Sequence, residues 1–502
     1  MKTTHYGYLR NGLTLAMLLA MLLAITACTV GPDFKAPAVP SPERWTDWHS
    51  GPPSSSVPGK APATTSQTAD GNWWQVFGDP VLDQLQAQVR EGSPDLHTAL
   101  LRFAQVRLQR QIVASLETPE VSFSAAASRN RQSRYAPNNR MLEALGSDSD
   151  ALEKVLTDPY SLYQAGFDVS WELDLWGRVS RLGEAAQAEV DGAAATLDDV
   201  LLSVSSELAR NYFEVRTAQR QTRLLEQEAQ ILAAHLQVIA VQAREGEEDG
   251  FAVERQEARL ASLHAQIPAW KALHTQAGNR IALLLGEHPG ALETLLAERP
   301  DNALSRPLPN LQLGLPGDLA RERPDIRAAQ ARLHRATAGI GVAEAELYPS
   351  VMLGADFGFE SYKSGQFADW SSRTWSVGPR LDLPLFDRGR RSKTVVLRTL
   401  EQQEAAVAFH RTVLAAWQEV DDAMSRYHNE YQRAAHLKDS YDSKARTYEW
   451  TRVRYAAGEA SYLEELEAQR TVLEAQRDLV NSDSQLRTHL ISIYKSMGGH
   501  ST

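Results

Sequence analysis

The sequence predicts a mixed α and β membrane protein, with four strands per chain that can close into a barrel only between chains, and very long helices, arranged as two internal repeats. Three observations predict it. Two pairs of segments alternate apolar and polar residues over the length of a bilayer crossing, two stretches run for more than a hundred residues without proline, and motifs of the first half return in the second.

The chain opens with a targeting segment. Lys2 and Arg10 precede a thirteen-residue apolar run, Leu13 to Ile25, which suits a secretory signal. It is too short for a spanning helix of ~20 residues. The run meets Ile25-Thr26-Ala27-Cys28, small residues before a cysteine, and resembles the bacterial lipobox. Residues 1–27 therefore read as a lipoprotein signal peptide. Cys28, the only cysteine, reads as the mature N-terminus carrying diacylglycerol and a fatty acyl chain, with no other cofactor expected. Residue 29 is Thr, not the Asp that resembles an inner-membrane retention signal, which favours the outer membrane of a Gram-negative bacterium.

Composition narrows the function classes. With 52 Lys+Arg against 63 Asp+Glu the formal charge is −11, and loss of residues 1–27 takes it to −13, so no basic surface for nucleic acid is indicated. The thirteen His show no metal-ligand spacing. There is no P-loop and no GxSxG. Gly339-Ile340-Gly341 lacks the third glycine and preceding strand of a dinucleotide site and reads as helix packing. No enzyme is indicated, and energy for transport must come from a partner.

From Gly31 to Pro62 the chain holds eight of its 23 prolines, so residues 28–72 read as an extended tether. Beyond it, Ser93-Pro94-Asp95-Leu96 returns as Arg323-Pro324-Asp325-Ile326, and Pro119-Glu120-Val121 as Pro349-Ser350-Val351, both at an offset of 230. Leu173-Asp174-Leu175-Trp176-Gly177-Arg178 matches Leu383-Pro384-Leu385-Phe386-Asp387-Arg388, and Leu263-His264-Ala265-Gln266 matches Leu473-Glu474-Ala475-Gln476, both at 210. The difference places about twenty extra residues in a loop between Arg131 and Pro159. Repeat 1 is assigned to 73–290, a linker to 291–316 and repeat 2 to 317–502.

Each repeat carries two strands. Tyr163, Ala165, Phe167, Val169, Trp171, Leu173 and Leu175 alternate with Gln164, Gly166, Asp168, Ser170, Glu172 and Asp174; Trp375, Val377, Pro379, Leu381, Leu383 and Leu385 alternate with Ser376, Gly378, Arg380 and Asp382. Segments 121–128 and 351–360 behave alike. Such lengths suit a tilted crossing, which needs ~9–11 residues. Four strands cannot close a barrel, and an open edge in hydrocarbon leaves backbone groups unsatisfied. Several chains must combine, and a polar, mainly acidic inner face argues for a barrel wide enough to hold water. Tyr160, Tyr163, Trp171, Trp176, Tyr362, Trp370 and Trp375, near strand ends, are candidates for interfacial belts.

Between glycine breaks, the long helices run from about Arg178 to Glu245 and Arg390 to Ala457, 68 residues each. At 1.5 Å per residue each is ~100 Å long. Return helices are expected over Phe251–Leu285 and Glu459–Met497, and helices leading into the strands over Val81–Ser115 and Gly317–Leu347.

These residues match a known family. Cys28 with Gly31-Pro32-Asp33-Phe34, Trp73-Trp74 with Phe77-Gly78-Asp79-Pro80, Trp171 to Arg178, Arg321-Glu322-Arg323-Pro324-Asp325-Ile326 and Arg454-Tyr455-Ala456-Ala457-Gly458-Glu459-Ala460-Ser461-Tyr462-Leu463-Glu464 resemble the TolC-like outer membrane factor family, especially its OprM- and NodT-like efflux lipoproteins. The resemblance implies a homotrimer with a twelve-stranded outer-membrane β-barrel, four strands per chain, continuous with a periplasmic α-helical barrel. It also implies a passive conduit serving an inner-membrane transporter of the RND type through a periplasmic adaptor protein.

By the same resemblance, function lies at two helix turns. Gly246 and Gly458 supply the backbone freedom to reverse a helix, and Arg244, Arg454 and Ser461 flank them as adaptor-contacting positions. Glu464 and Glu467 match inward-facing acidic positions, Glu254 matches the acidic position of the first hairpin, and Tyr455 matches a gate-linking tyrosine. The arginine that partners this tyrosine in the family falls at Ala460, leaving Arg452 and Arg454 as substitutes. Alternatives are a lipid-anchored periplasmic scaffold without channel activity, a channel for type I protein secretion, and a lipid-anchored hydrolase, the last opposed by the absence of a catalytic cluster.

Overall fold

The computed structural model describes residues 29–38, 72–136, 154–247, 249–298 and 322–499. Cys28 and the signal peptide lie outside the described residues, as do most of the tether, the middle of the long loop and most of the linker. Among the described residues, 29–36, Gln105–Val190 and Ala331–Ala406 form one compact unit and the remainder forms another.

The first unit holds one antiparallel sheet of β1 (Glu120–Asn130), β2 (Tyr160–Leu173), β3 (Ser350–Ser361) and β4 (Arg373–Asp382), in the order β1-β2-β3-β4. The register sorts the two faces into rows. Phe123, Phe167, Phe357 and Trp375 lie side by side across all four strands, followed by Val121, Val169, Ala355 and Val377. On the other face Ser122, Asp168, Asp356 and Ser376 form one row and Ser124, Gly166, Gly358 and Thr374 the next. The apolar face is solvent-exposed in the single chain at Val121, Phe123, Phe167, Phe357, Trp375, Val377 and Leu381, the reverse of a sheet packed on a water-soluble core. Polar contacts cross the other face: Gln164 Nε2 donates to Glu360 at 2.7 Å, and the Ser376 hydroxyl donates to Asp356.

Both outgoing strands end before the alternation does. The Leu175 amide turns back to the Leu173 carbonyl at 2.8 Å, and Asp174 accepts from the amides of Val179 (2.8 Å) and Ser180 (2.7 Å), so its polar side chain starts the next helix. β4 stops at Asp382, leaving Leu383 and Leu385 outside it. Pro379 pairs with Leu353 in the β3–β4 ladder. Trp176 leaves the proposed aromatic belt: its ring stacks on Tyr348 at 4.7 Å and its Nε1–H donates to the Pro349 carbonyl at 2.8 Å.

The first described residues are seated on this unit. The Val30 amide donates to the Trp176 carbonyl at 3.1 Å, and Arg181, nearly buried, donates to Asp33 (2.7 Å) and to the carbonyls of Val30 (3.2 Å) and Gly31 (3.3 Å). Phe34 stacks on His334 at 4.3 Å, and His334 meets Glu184 at 2.9 Å.

The helices are α1 (Pro80–Gly92), α2 (Pro94–Ala114), α3 (Arg178–Glu245), α4 (Gly250–Leu285), α5 (Glu293–Leu296), α6 (Pro324–Ala345), α7 (Arg390–Ala456) and α8 (Tyr462–Ser496). The single helix expected over Val81–Ser115 is two. Ser93 is extended (ψ 120°) ahead of Pro94, which has no amide to continue the ladder, and Gly92 lies so close to the Leu285 carbonyl that a Cβ there would sit 2.6 Å from it. Conversely, α4 continues through Pro268. The glycine turns Gly177 and Gly389, both at positive φ, stand 212 positions apart, as do Gly246 and Gly458, so the offset of 210 is displaced by two residues.

The core of the second unit joins Trp73, Trp74, Phe77, Leu82 and Leu85 to Leu208, Tyr212 and Phe213 of α3, Ile281 of α4 and Leu490 and Tyr494 of α8. Trp73 stacks on Tyr494 at 5.7 Å. Among the described residues no helix is long and apolar enough to cross a membrane.

Candidate functional site

The two helix turns form in the same way. At the end of α3 the Glu247 amide reaches back to the Gln242 carbonyl (2.9 Å) around Gly246 at φ +78°; at the end of α7 the Glu459 amide reaches the Arg454 carbonyl (2.8 Å) around Gly458 at φ +75°. Six-to-one bonds of this kind satisfy the last carbonyls of a helix and need a left-handed residue, which glycine adopts without strain. Nothing lies within 4 Å of where a Cβ would stand on either glycine, so conformation alone requires them.

The return helices start on side-chain caps. Asp249 accepts from the Ala252 amide at 3.0 Å. Ser461 and Glu464 form a reciprocal capping box, with the Ser461 amide donating to the Glu464 carboxylate (2.6 Å) and the Glu464 amide donating to the Ser461 hydroxyl (3.2 Å). These bonds from Ser461 hold the Glu464 carboxyl below its ordinary range. The Ser-x-x-Glu pattern of this box is legible in the sequence.

The remaining expected residues take distinct places. Tyr455 packs its ring 5.6 Å from that of Tyr462 across the turn. Arg454 donates to the Glu459 carbonyl at 3.1 Å, Arg244 to the Ala240 carbonyl at 3.0 Å, and Arg452 pairs with Glu449 at 2.7 Å on its own helix. Glu254 is exposed. Glu467 is held in a fork by Arg470 (2.7 and 3.0 Å), and that hydrogen bonding lowers its pKa.

Behind Glu467 lies a seam that sequence reading missed. Glu228 of α3 is buried, with Arg477 at 3.5 Å and Arg470 at 3.8 Å, both from α8; burial pushes its pKa up against the pull of the two guanidiniums. Gln221 donates to the Arg477 carbonyl at 2.8 Å beside it. These partners stand some 240 positions apart, beyond any local pattern. No group of His, Cys, Asp or Glu among the described residues is placed to hold a metal ion.

A sheet with one outward apolar face and one polar face, joined to helices of 67 and 68 residues that reverse at glycine turns, defines the class of outer-membrane channels with helical and β parts. The chain matches the model of outer membrane efflux proteins over residues 85–287 and 315–499, and it belongs to that family. The pyoverdine export outer membrane protein OpmQ of Pseudomonas putida is 28% identical over 436 residues, covering 86% of this chain and 88% of OpmQ. The toluene efflux pump outer membrane protein TtgF of Pseudomonas putida is 27% identical over 487 residues, 96% of each chain. The outer-membrane channel OprN aligns with a TM-score of 0.80 and 30% identity, over 94% of this chain and 99% of that one. The protein is an outer-membrane efflux component.

Proposed function

We propose that three copies close one twelve-stranded barrel in the outer membrane, continuous with a periplasmic helical barrel, each chain supplying two structural repeats. The observation that carries this reading is the pair of open sheet edges, β1 and β4, on a sheet whose apolar face is exposed. In hydrocarbon each unsatisfied backbone group costs several kcal/mol, which only pairing with further copies removes. Exposed Leu108 and Ile112 before β1 and Val396, Leu397 and Leu400 after β4 extend the same unpartnered edges along the helices.

The assembly acts as a passive conduit with no catalysis of its own. An inner-membrane transporter supplies the energy, and a periplasmic adaptor engages the Gly246 and Gly458 turns, with Arg244, Arg454 and Ser461 at the contact. Glu254, Glu464 and Glu467, repeated three times around a closed throat lined by Tyr455, concentrate negative field there and favour cations. Cys28 carries the lipid. The seating of Val30 and Asp33 beside Trp176 and Arg181, at the end of β2, supports an anchor at the level of the membrane.

Native mass spectrometry of detergent-extracted outer-membrane protein tests this. Three copies, each lacking residues 1–27 and bearing acyl chains, are expected; a lipid-free monomer released without detergent would overturn the reading.

A further inference from the structure

The pairing inside one chain specifies the pairing between chains. β1 and β3 begin at Glu120 and Ser350, 230 positions apart, and the turns after β2 and β4 place Gly177 and Gly389 212 apart. Moving the β1–β2 pair Ser124 and Gly166 by these two shifts gives Gly354 and Gly378, which are partners in β3–β4. The two shifts therefore reproduce an observed register that was not used to define them.

The same shifts apply to the remaining contact. Within the chain β2 pairs with β3, the end of the first repeat meeting the start of the second. The equivalent contact for β4, the end of the second repeat, is β1 of another copy. Carrying the β2–β3 register across, we infer that Gly378 of one copy stands opposite Ser128 of the next, with Leu381 opposite Ala125, Leu383 opposite Phe123 and Leu385 opposite Val121. This rests on the trimeric reading and adds to it which residues meet.

Two observations support the register. Gly166, which Gly378 replaces under the shift, pairs with Gly358 so closely that a Cβ on Gly166 would lie 3.0 Å from the Gly358 Cα; at Gly378 the space is open, as expected where the neighbouring strand belongs to another copy. β2 runs to Leu173, whose equivalent is Leu385, yet β4 of the single chain stops at Asp382. Leu383 and Leu385 are left 46% and 87% exposed, and Val121 and Phe123, their inferred partners, 63% and 62%. Pairing extends β4 by three residues and brings these side chains together on the apolar face. Cross-strand contacts of this kind are what fix a register.

Cysteine cross-linking in the full chain reads the register directly. In the single chain nothing lies within 4 Å of a Cβ on Gly378, so Gly378→Cys leaves the fold of each copy undisturbed, and Ser128→Cys is nearly isosteric. Residues directly opposite lie ~4.5–5.5 Å apart at Cα, within disulfide reach, whereas diagonal neighbours lie ~7–8 Å apart. The Gly378→Cys/Ser128→Cys chain is expected to give covalent dimers and trimers on oxidation, at least tenfold more than Gly378→Cys with Ala126→Cys or with Asn130→Cys. Each single variant controls for Cys28. A trimer by mass spectrometry in which a displaced pair cross-links instead, or no pair does, overturns the register. A monomer in which none does overturns the trimeric reading beneath it. Hydrogen exchange on the unaltered protein is independent of folding defects in the variants: the amides of Leu383 and Leu385, which flank Pro384, are expected to be protected in the trimer, and fast exchange at both overturns the strand extension.

Discussion

Gly31 and Gly341 touch backbone to backbone: a Cβ on Gly31 would lie 2.4 Å from the Gly341 Cα, and Gly31 is itself at φ +93°. On its other side Gly341 packs against Arg181, whose Cγ would stand 2.9 Å from a Cβ on Gly341. Either Gly31→Ala or Gly341→Ala is therefore expected to unseat residues 29–36, read as faster hydrogen exchange or new proteolytic cleavage there in otherwise folded protein. Gly339→Ala is the control, since nothing lies within 4 Å of its added methyl group. Replacing an interior helical glycine by alanine favours the helix by up to ~1 kcal/mol. Equal protection of 29–36 in all three variants would show that the two glycines are not what seats the segment.

Asp79 does two things at once. Its Oδ1 accepts from the Val81 and Leu82 amides at the start of α1, and its Oδ2 accepts from the buried Tyr212 hydroxyl at 2.7 Å. Asp79→Ala removes a cap and leaves a buried hydroxyl unpaired, at a cost of about 2–4 kcal/mol. Tyr212→Phe keeps the cap but takes a hydrogen bond from a buried carboxylate oxygen, at an expected cost of about 1.5–3 kcal/mol, below that of Asp79→Ala. Thermal unfolding in detergent measures both, and equal losses would contradict the dual role.

Arg470 pairs with three carboxylates, Glu467, Glu474 and Glu228, and the shifts of Glu467 and Glu228 run in opposite directions. Glu467 is lowered by its hydrogen bonds to Arg470, so the stability it contributes is present above the ordinary Glu value of 4.5 and is lost as pH falls through its lower folded value. Glu228 is raised by burial; the stability tied to its neutral form is present at low pH and is lost as pH rises through its folded value. Acid therefore releases the Glu467 fork while relieving the desolvation of Glu228. The protection of amides across 467–477, taken relative to the intrinsic exchange rate at each pH, is expected to fall below about pH 4.5, and Glu467→Gln to remove most of that dependence. A wild-type profile flat down to pH 3 would remove the fork from the account.

Periodicity and glycine placement made the elements readable. Strand faces followed from alternation, and α3 from a proline-free run closed by Gly246. Proline is a local signal with two outcomes: Pro268 lies inside a helix, as expected over Phe251–Leu285, whereas Pro94 divides the helix expected over Val81–Ser115, where Gly92 packs against the Leu285 carbonyl. Sites were less legible than elements. Ser461-x-x-Glu464 is a local pattern, but the Glu228, Arg470 and Arg477 seam exists only after distant helices pack, and no sequence pattern encodes it.

Charge at the second turn can be separated from its architecture. Glu464→Gln keeps a residue able to accept from the Ser461 amide, since Gln serves the same position of a capping box, and Glu467→Gln stays within reach of Arg470. The double variant therefore removes two carboxylates per chain with little change of backbone. Ser461→Ala does the reverse, breaking the cap at a cost of about 1 kcal/mol while leaving every charge in place. If these carboxylates line the throat, single-channel recordings are expected to show reduced cation preference in the double variant, a further reduction with Glu254→Gln, and wild-type preference in Ser461→Ala. Unchanged selectivity in the double variant would leave Glu464 as a helix cap and Glu467 as a partner of Arg470, with the ion preference set elsewhere along the conduit.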